Sequence, residues 1–409
     1  MGNILIKNIT AFAIVEADFL YFHRTLLRCA DNGNLIEYIG KEKPETEDFD
    51  YVIDGENKVV MPGLVNTHTH LAMTLLRSYA DDMNLQDWLF NKIFPFEDKL
   101  MADDILKGSE IGVDEMLAGG TTCFNDMYMF QAETGRVALK KGIRAVLSDC
   151  VNFDGYDRKV KLMETMAEEF KNEDLISFTF SPHAIYTCSF DVLKKCSDYA
   201  KSNDMSIHTH LAETQTEFDD CVKERGMTPT EYMETTGIFD SPTIAAHCVC
   251  MTDNDLEILK KHNVSVVHNP ISNLKLASGV APITKMIDMG INVALGTDGA
   301  SSNNSLDMFE EMKVAAILHK GITLDPTVMN AWTVLKMATV NGAKALGFDN
   351  LGVLKQGYLA DMIILDFNSP HLMPNNNTVS NLVYAAKSSD VEYTIVNGKL
   401  VYNRQTKDR

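Results

Sequence analysis

The sequence predicts an α/β fold: a (β/α)8 TIM barrel with a small composite β domain formed by both chain ends. Three observations carry this expectation. Residues 61–349 alternate eight short apolar runs with helical patterns. Both termini are instead β-rich. And seven of the eleven histidines fall at or just after the ends of the expected strands.

At the N-terminus, Ile4-Leu5-Ile6, Asn34 to Ile39, Val52-Ile53 and Lys58-Val59-Val60 read as short strands, with a turn at Asp31 to Asn34. Met61-Pro62-Gly63 breaks the pattern. At the other end, Asp361 to Leu365 reads as a buried strand. Tyr393 to Val396 and Lys399 to Tyr402 form a hairpin around Asn397-Gly398, a type I′ signal. Residues 1–60 and 350–409 are therefore expected to build one composite β-sandwich domain, which brings the termini together.

The eight barrel strands are expected at Gly63 to Asn66, Thr121 to Asn125, Ile143 to Leu147, Ser177 to Phe180, Met205 to Ile207, Thr243 to Ala246, Val264 to Val267 and Asn292 to Leu295. Helical patterns between them include Asp103 to Ala118, Val160 to Lys171, Asp253 to His262 and Leu306 to Leu318. A doubly wound sheet typically uses five or six strands and has no need of eight.

Composition narrows the function. Thirty-seven basic against 57 acidic residues give a net charge of −20, which repels phosphate backbones and anionic membranes. No apolar stretch approaches the ~20 residues of a membrane span, and the first ten residues lack a signal-peptide core. A cytoplasmic protein is expected. The eight cysteines form no C-x-x-C pair and read mostly as reduced core residues, with Cys248 and Cys250 flanking a strand end.

The histidines at strand ends are His68, His70, His183, His208, His210, His247 and His268. In a barrel these ends converge on one pocket. Residues i and i+2 of a strand share a face, so His68 and His70 can reach one metal. His208 and His210 repeat the spacing about 7 Å apart along a strand, so only one needs to be a ligand, and His208 is expected to pack deeper. Glu213 follows as strand yields to loop, where a carboxylate can shuttle a proton. His247 ends the sixth run. Asp298 ends the eighth, where an unpaired aspartate after an apolar run is expensive. Three histidines and an aspartate form an N3O set that leaves coordination open for water. His183, not a lysine, ends the fourth strand, which favours one metal over two.

Pro62 to His70, His210-Leu211-Ala212-Glu213-Thr214, Ile244 to Cys248 and Gly296-Thr297-Asp298-Gly299 together resemble the amidohydrolase superfamily over nearly the whole chain. Met73 to Arg77, Trp88-Leu89-Phe90, Phe94 to Asp98, His268-Asn269-Pro270, Ser272 to Leu276 and Ala300 to Asn304 are similar to its 5-methylthioadenosine/S-adenosylhomocysteine deaminases. The resemblance implies one Zn2+ per subunit, with Fe2+ or Mn2+ as alternatives, on His68, His70, His210 and Asp298. It implies Glu213, His247 and Asp298 as the catalytic set. Glu97 and His183 are implied as nucleoside contacts, with Trp88 and Ser302 nearby.

The implied activity is hydrolytic removal of the adenine 6-amino group from 5′-substituted adenosines, in a homo-oligomer with no nucleic-acid or membrane partner. Asp149 stands where carboxylate-binding relatives commonly carry an arginine, and Arg158 is expected to rescue carboxylate binding only in part. Asp149 is thus expected to disfavour S-adenosylhomocysteine. A deaminase or chlorohydrolase of guanine-like or triazine rings is the nearest alternative enzyme. A non-catalytic metal-binding scaffold is the remote one.

Overall fold

In a computed structural model, residues 4–15, 18–29, 34–40, 49–153 and 155–407 are described. All eight barrel strands are present, in parallel pairs. They are Leu64–Thr69, Thr121–Tyr128, Arg144–Asp149, Ile176–Phe178, Ile207–Leu211, Thr243–His247, Ser265–His268 and Val293–Leu295, taken below as strands one to eight. Two arcs of four strands build the ring. One seam between them is the parallel bridge of Phe180 with Ile207.

At the other seam, strand eight closes on strand one. The Asn66 amide donates to Thr297 Oγ1 at 2.7 Å, and Thr297 N–H returns a bond to Asn66 Oδ1 at 3.0 Å. The backbone N–H of Asp298 donates to the His68 carbonyl at 3.0 Å. Glycine at 296 allows this approach, because a Cβ there would lie 2.9 Å from His68 N.

The helices form where the apolar spacing predicts them. Helix Ala102–Ala118 buries Ile105, Val113, Met116 and Leu117 and carries Asp103 and Asp104 in its first turn, against the positive end of the helix dipole. Helix Asp253–Lys261 starts with a capping box. Thr252 Oγ1 accepts Asp255 N–H, and the Asp255 carboxylate accepts Thr252 N–H.

Both chain ends meet in one eight-stranded mixed sheet. Lys58–Pro62 pairs antiparallel with Met362–Asp366, joining the N-terminal strands to the C-terminal hairpin Val391–Val396 and Lys399–Asn403. Among the described residues it is one continuous sheet, not two hydrogen-bonded layers. It wraps a small core of Ile4, Ile6, Ile9, Ile53, Val60, Met362 and Ile364.

The N-terminal strands are longer than expected. Ile4–Val15 and Asp18–Cys29 pair antiparallel along their length, and the second was not expected. The expected turn at 31–34 lies mostly outside the described residues. A buried ion pair, Arg144 Nε to Asp361 Oδ2 at 3.0 Å, ties strand three to the start of the C-terminal strands. Among the described residues, no helix is long and apolar enough to cross a membrane.

Candidate active site

Strands one, five, six and eight deliver the expected cluster to the barrel mouth. His70 Nε2 and His68 Nε2 lie 3.2 and 3.3 Å from Asp298 Oδ1, and His210 Nε2 lies 3.3 Å from His70 Nε2. His247 and Asp298 have positive φ of 73° and 61°, which turns both side chains inward at the strand ends. Such backbone strain in non-glycine residues concentrates at functional sites.

The opposite ring nitrogens are all engaged. His210 Nδ1 donates to the His183 carbonyl at 2.9 Å, and His70 Nδ1 donates to the Met127 carbonyl. Carbonyl acceptors fix the proton on Nδ1 and leave the Nε2 lone pair facing inward. His68 Nδ1 contacts His208 Nε2 at 2.8 Å, while its buried Nε2 makes no hydrogen bond. Two overlapping triads, His68-His70-His210 and His68-His247-Asp298, hold their ligand atoms within 4.8 Å of one another. An orphaned buried nitrogen amid inward-facing lone pairs and a carboxylate fits a divalent metal.

Asp298 is held from behind. Its Oδ2 accepts the hydroxyls of Ser272 at 2.6 Å and Ser302 at 2.7 Å, leaving Oδ1 toward the histidines. Burial raises the Asp298 pKa, but the contacts from His68 and His70 outweigh it and hold the carboxyl well below the usual range. His247 Nδ1 lies 2.8 Å from Asn273 Oδ1, and its Nε2 is 3.8 Å from Glu213 Oε2. Burial raises the Glu213 pKa. The Glu213 backbone N–H donates to the buried Glu217 carboxylate at 2.8 Å, fixing the loop that carries it.

The pocket above the cluster is lined by His70, His183, His210, Glu213, His247 and Asp298, with Trp88, Glu97, Tyr128, Tyr186 and Lys159. Glu97 is raised by burial, and one of its carboxylate oxygens has no hydrogen-bond partner. Burial lowers His183 to about 3, keeping it neutral. A short π-helical segment, Leu89–Ile93, contributes Leu89 and Ile93 to the wall. Such segments recur at functional sites.

Two of the expected substrate residues do not line the pocket. Arg158 is exposed on helix Tyr156–Glu169 and does not line the pocket; Lys159 does. Consecutive helical residues point about 100° apart, so one position decides which side chain turns inward. Ser302 also stays off the pocket wall, because its hydroxyl is spent on Asp298. Sequence reasoning does not single out Lys159, and it names Ser272 and Asn273 only within the Ser272 to Leu276 segment, with no role assigned. It gave His208 only a packing role, although His208 contacts a candidate ligand. Cys248 is fully buried, and neither it nor Cys250 lines the pocket.

Comparison with known proteins agrees with this geometry. The sequence model of the amidohydrolase family matches residues 59–401. A 5-methylthioadenosine/S-adenosylhomocysteine deaminase of Dictyoglomus turgidum is 44% identical over 407 residues, covering 98% of this chain and 94% of that protein. A zinc-bound adenosine deaminase of Xanthomonas campestris superposes with a TM-score of 0.91 at 33% identity, covering 97% and 92% of the two chains. A zinc-complexed atrazine chlorohydrolase of Arthrobacter aurescens superposes equally well, at 0.91, but at 22% identity shares the fold alone; it covers 98% and 96% of the chains. The near-complete coverage by deaminases identifies an enzyme that acts as a hydrolytic deaminase. The chain belongs to the amidohydrolase family.

Proposed function

We propose that this enzyme removes the adenine 6-amino group of 5′-substituted adenosines, giving the inosine product and ammonia. The observation that carries this is the pairing of a buried Glu213, its pKa raised by burial, with His247, 3.8 Å apart, beside a histidine–aspartate cluster in one pocket. The relatives named for methylthioadenosine and S-adenosylhomocysteine support the substrate class.

His68, His70, His210 and Asp298 would hold one zinc ion. When bound, the metal acts as a Lewis acid that makes water a nucleophile near neutral pH. Glu213, whose pKa burial raises, gives a proton to ring N1. Asn273 accepts from His247 Nδ1, so His247 turns Nε2 toward the attacking oxygen. Asp298 takes one water proton and passes it to the amino group as the C6–N bond breaks, releasing ammonia. The second water proton returns to Glu213. Water and adenosine thereby give inosine and ammonia in balance.

Glu97 and His183, both in the pocket wall, would hydrogen-bond the nucleoside, and Trp88, also in the wall, would supply apolar contact. Zinc-loaded enzyme is to be assayed for ammonia release from adenosine, 5′-deoxyadenosine, methylthioadenosine and S-adenosylhomocysteine, with guanine and a triazine as controls. Turnover of the adenosines is expected. Activity confined to guanine or the triazine would replace this reading with that of a different deaminase or a chlorohydrolase.

A further inference from the structure

We infer that Asp149 masks the Lys159 ammonium, so that the outer end of the pocket selects uncharged 5′ substituents. This rests on the adenosine reading for the orientation of the ligand. The reacting base must sit at the buried floor, where His68 and His247 are 0% and 1% exposed. The far substituent then lies away from that floor, toward wall residues such as Phe94 and Lys159, with the exposed Phe90 and Phe153 packed behind Phe94. These rings run inward through Phe94, whose centroid is 5.3 Å from Phe90, 6.3 Å from Phe153 and 6.5 Å from His183.

Lys159 belongs to the pocket wall, and its side chain is only 7% exposed. Its Nζ lies 2.9 Å from Asp149 Oδ1, and Asp149 is 5% exposed. Asp149 Oδ2 accepts the Gln131 N–H at 3.2 Å, at the start of helix Gln131–Lys141. Asp149 is therefore no free charge repelling the substrate. Both of its oxygens are used, and the pair with Lys159 carries no net charge.

A carboxylate tail arriving here would have to share the one Lys159 ammonium with Asp149 or draw it away. Either way two buried carboxylates compete for one positive charge, which is costly. A methylthio, methyl or hydroxymethyl group asks for no such exchange.

The test compares kcat/KM for S-adenosylhomocysteine with that for methylthioadenosine. Asp149→Asn frees Lys159 and should raise this ratio tenfold or more. Lys159→Met leaves Asp149 unmatched and should lower it tenfold or more. Affinities for the non-reacting products, S-inosylhomocysteine and methylthioinosine, are measured in parallel by titration and should shift the same way. A ratio within threefold of wild type in either folded variant overturns the inference. If no adenosine is deaminated by wild type, the proposed reaction fails, while the product affinities still decide the mask.

Discussion

His68 Nδ1 lies 2.8 Å from His208 Nε2, so a candidate metal ligand on strand one is oriented by a histidine on strand five. Only a His68 with its proton on Nδ1 can present a lone pair at Nε2, and the contact with His208, whose own Nδ1 lies 3.1 Å from the Asn125 amide nitrogen, holds the His68 ring in place. His208→Ala should weaken zinc affinity by about 10–100-fold, the range typical for such partners. His208→Gln, whose side-chain amide can donate or accept there, should bind within about threefold of wild type. Competition with a chromogenic chelator measures both. Wild-type affinity in His208→Ala would return the residue to packing.

Glu213 is the proton carrier in the proposed reaction, so its loss should act on turnover. Glu213→Gln should keep bound metal and lose at least ~10²-fold in kcat. A variant with normal kcat and a raised KM would make Glu213 a substrate contact only.

The eight barrel strands and the cluster at their ends were legible because apolar runs and His-x-His spacing are local signals. The fifth strand was placed too early, at Met205 to Ile207, because His208, Thr209 and His210 look polar. His208 and His210 share the face toward the barrel interior, where their own hydrogen bonds satisfy them, and Thr209 Oγ1 donates to the His210 carbonyl. The Asp18–Cys29 strand escaped because its register depends on pairing with Ile4–Val15, which no local pattern encodes. Lys159 was lost to Arg158 because helix phase is set by the preceding loop, not by residue type.

The Arg144–Asp361 pair predicts where the barrel and the terminal sheet are joined. The two side chains are 3% and 0% exposed, and Asp361 Oδ1 also accepts the Asn397 N–H at 2.7 Å. Removing one partner strands the other charge. Arg144→Met should cost about 3–5 kcal/mol of stability in chemical denaturation. kcat in the folded fraction should be unchanged, since neither residue lines the pocket. A loss below about 1 kcal/mol would mean the pair is hydrated in solution.

His319 gives a pH dependence separate from the cluster. It is buried against His268, Nε2 to Nε2 at 3.2 Å, and burial lowers its pKa from 6.5 to about 4. The unfolded chain then binds the proton more readily than the folded one. His319 therefore supports stability fully above pH 6.5 and loses that contribution as pH falls toward 4. His319→Gln keeps a hydrogen bond and cannot charge. Relative to wild type it should gain about 2–3 kcal/mol between pH 6.5 and 4, an upper bound set by the full shift. Taking the difference of the two Tm–pH curves cancels the histidines they share. Parallel curves would exclude His319 as the source.

Metal stoichiometry follows from how the ligand atoms are shared. The two candidate triads both contain His68, and Asp298 Oδ1 stands 3.2 and 3.3 Å from the Nε2 atoms of His70 and His68. Five residues thus surround one centre. A second ion would need its own bridging ligand, and the fourth-strand position offers His183, whose Nδ1 is already 2.8 Å from Thr187 Oγ1. Asp298 Oδ2 could have bridged, but two serine hydroxyls occupy it. One zinc per chain is therefore expected by elemental analysis of protein purified without added metal. Chelation should abolish ammonia release, and one equivalent of zinc should restore it. His68→Ala/His70→Ala should purify folded with occupancy below about a tenth, because two of the three imidazoles are gone. A reproducible stoichiometry near two, or full occupancy in that double variant, would place the metal on residues other than these.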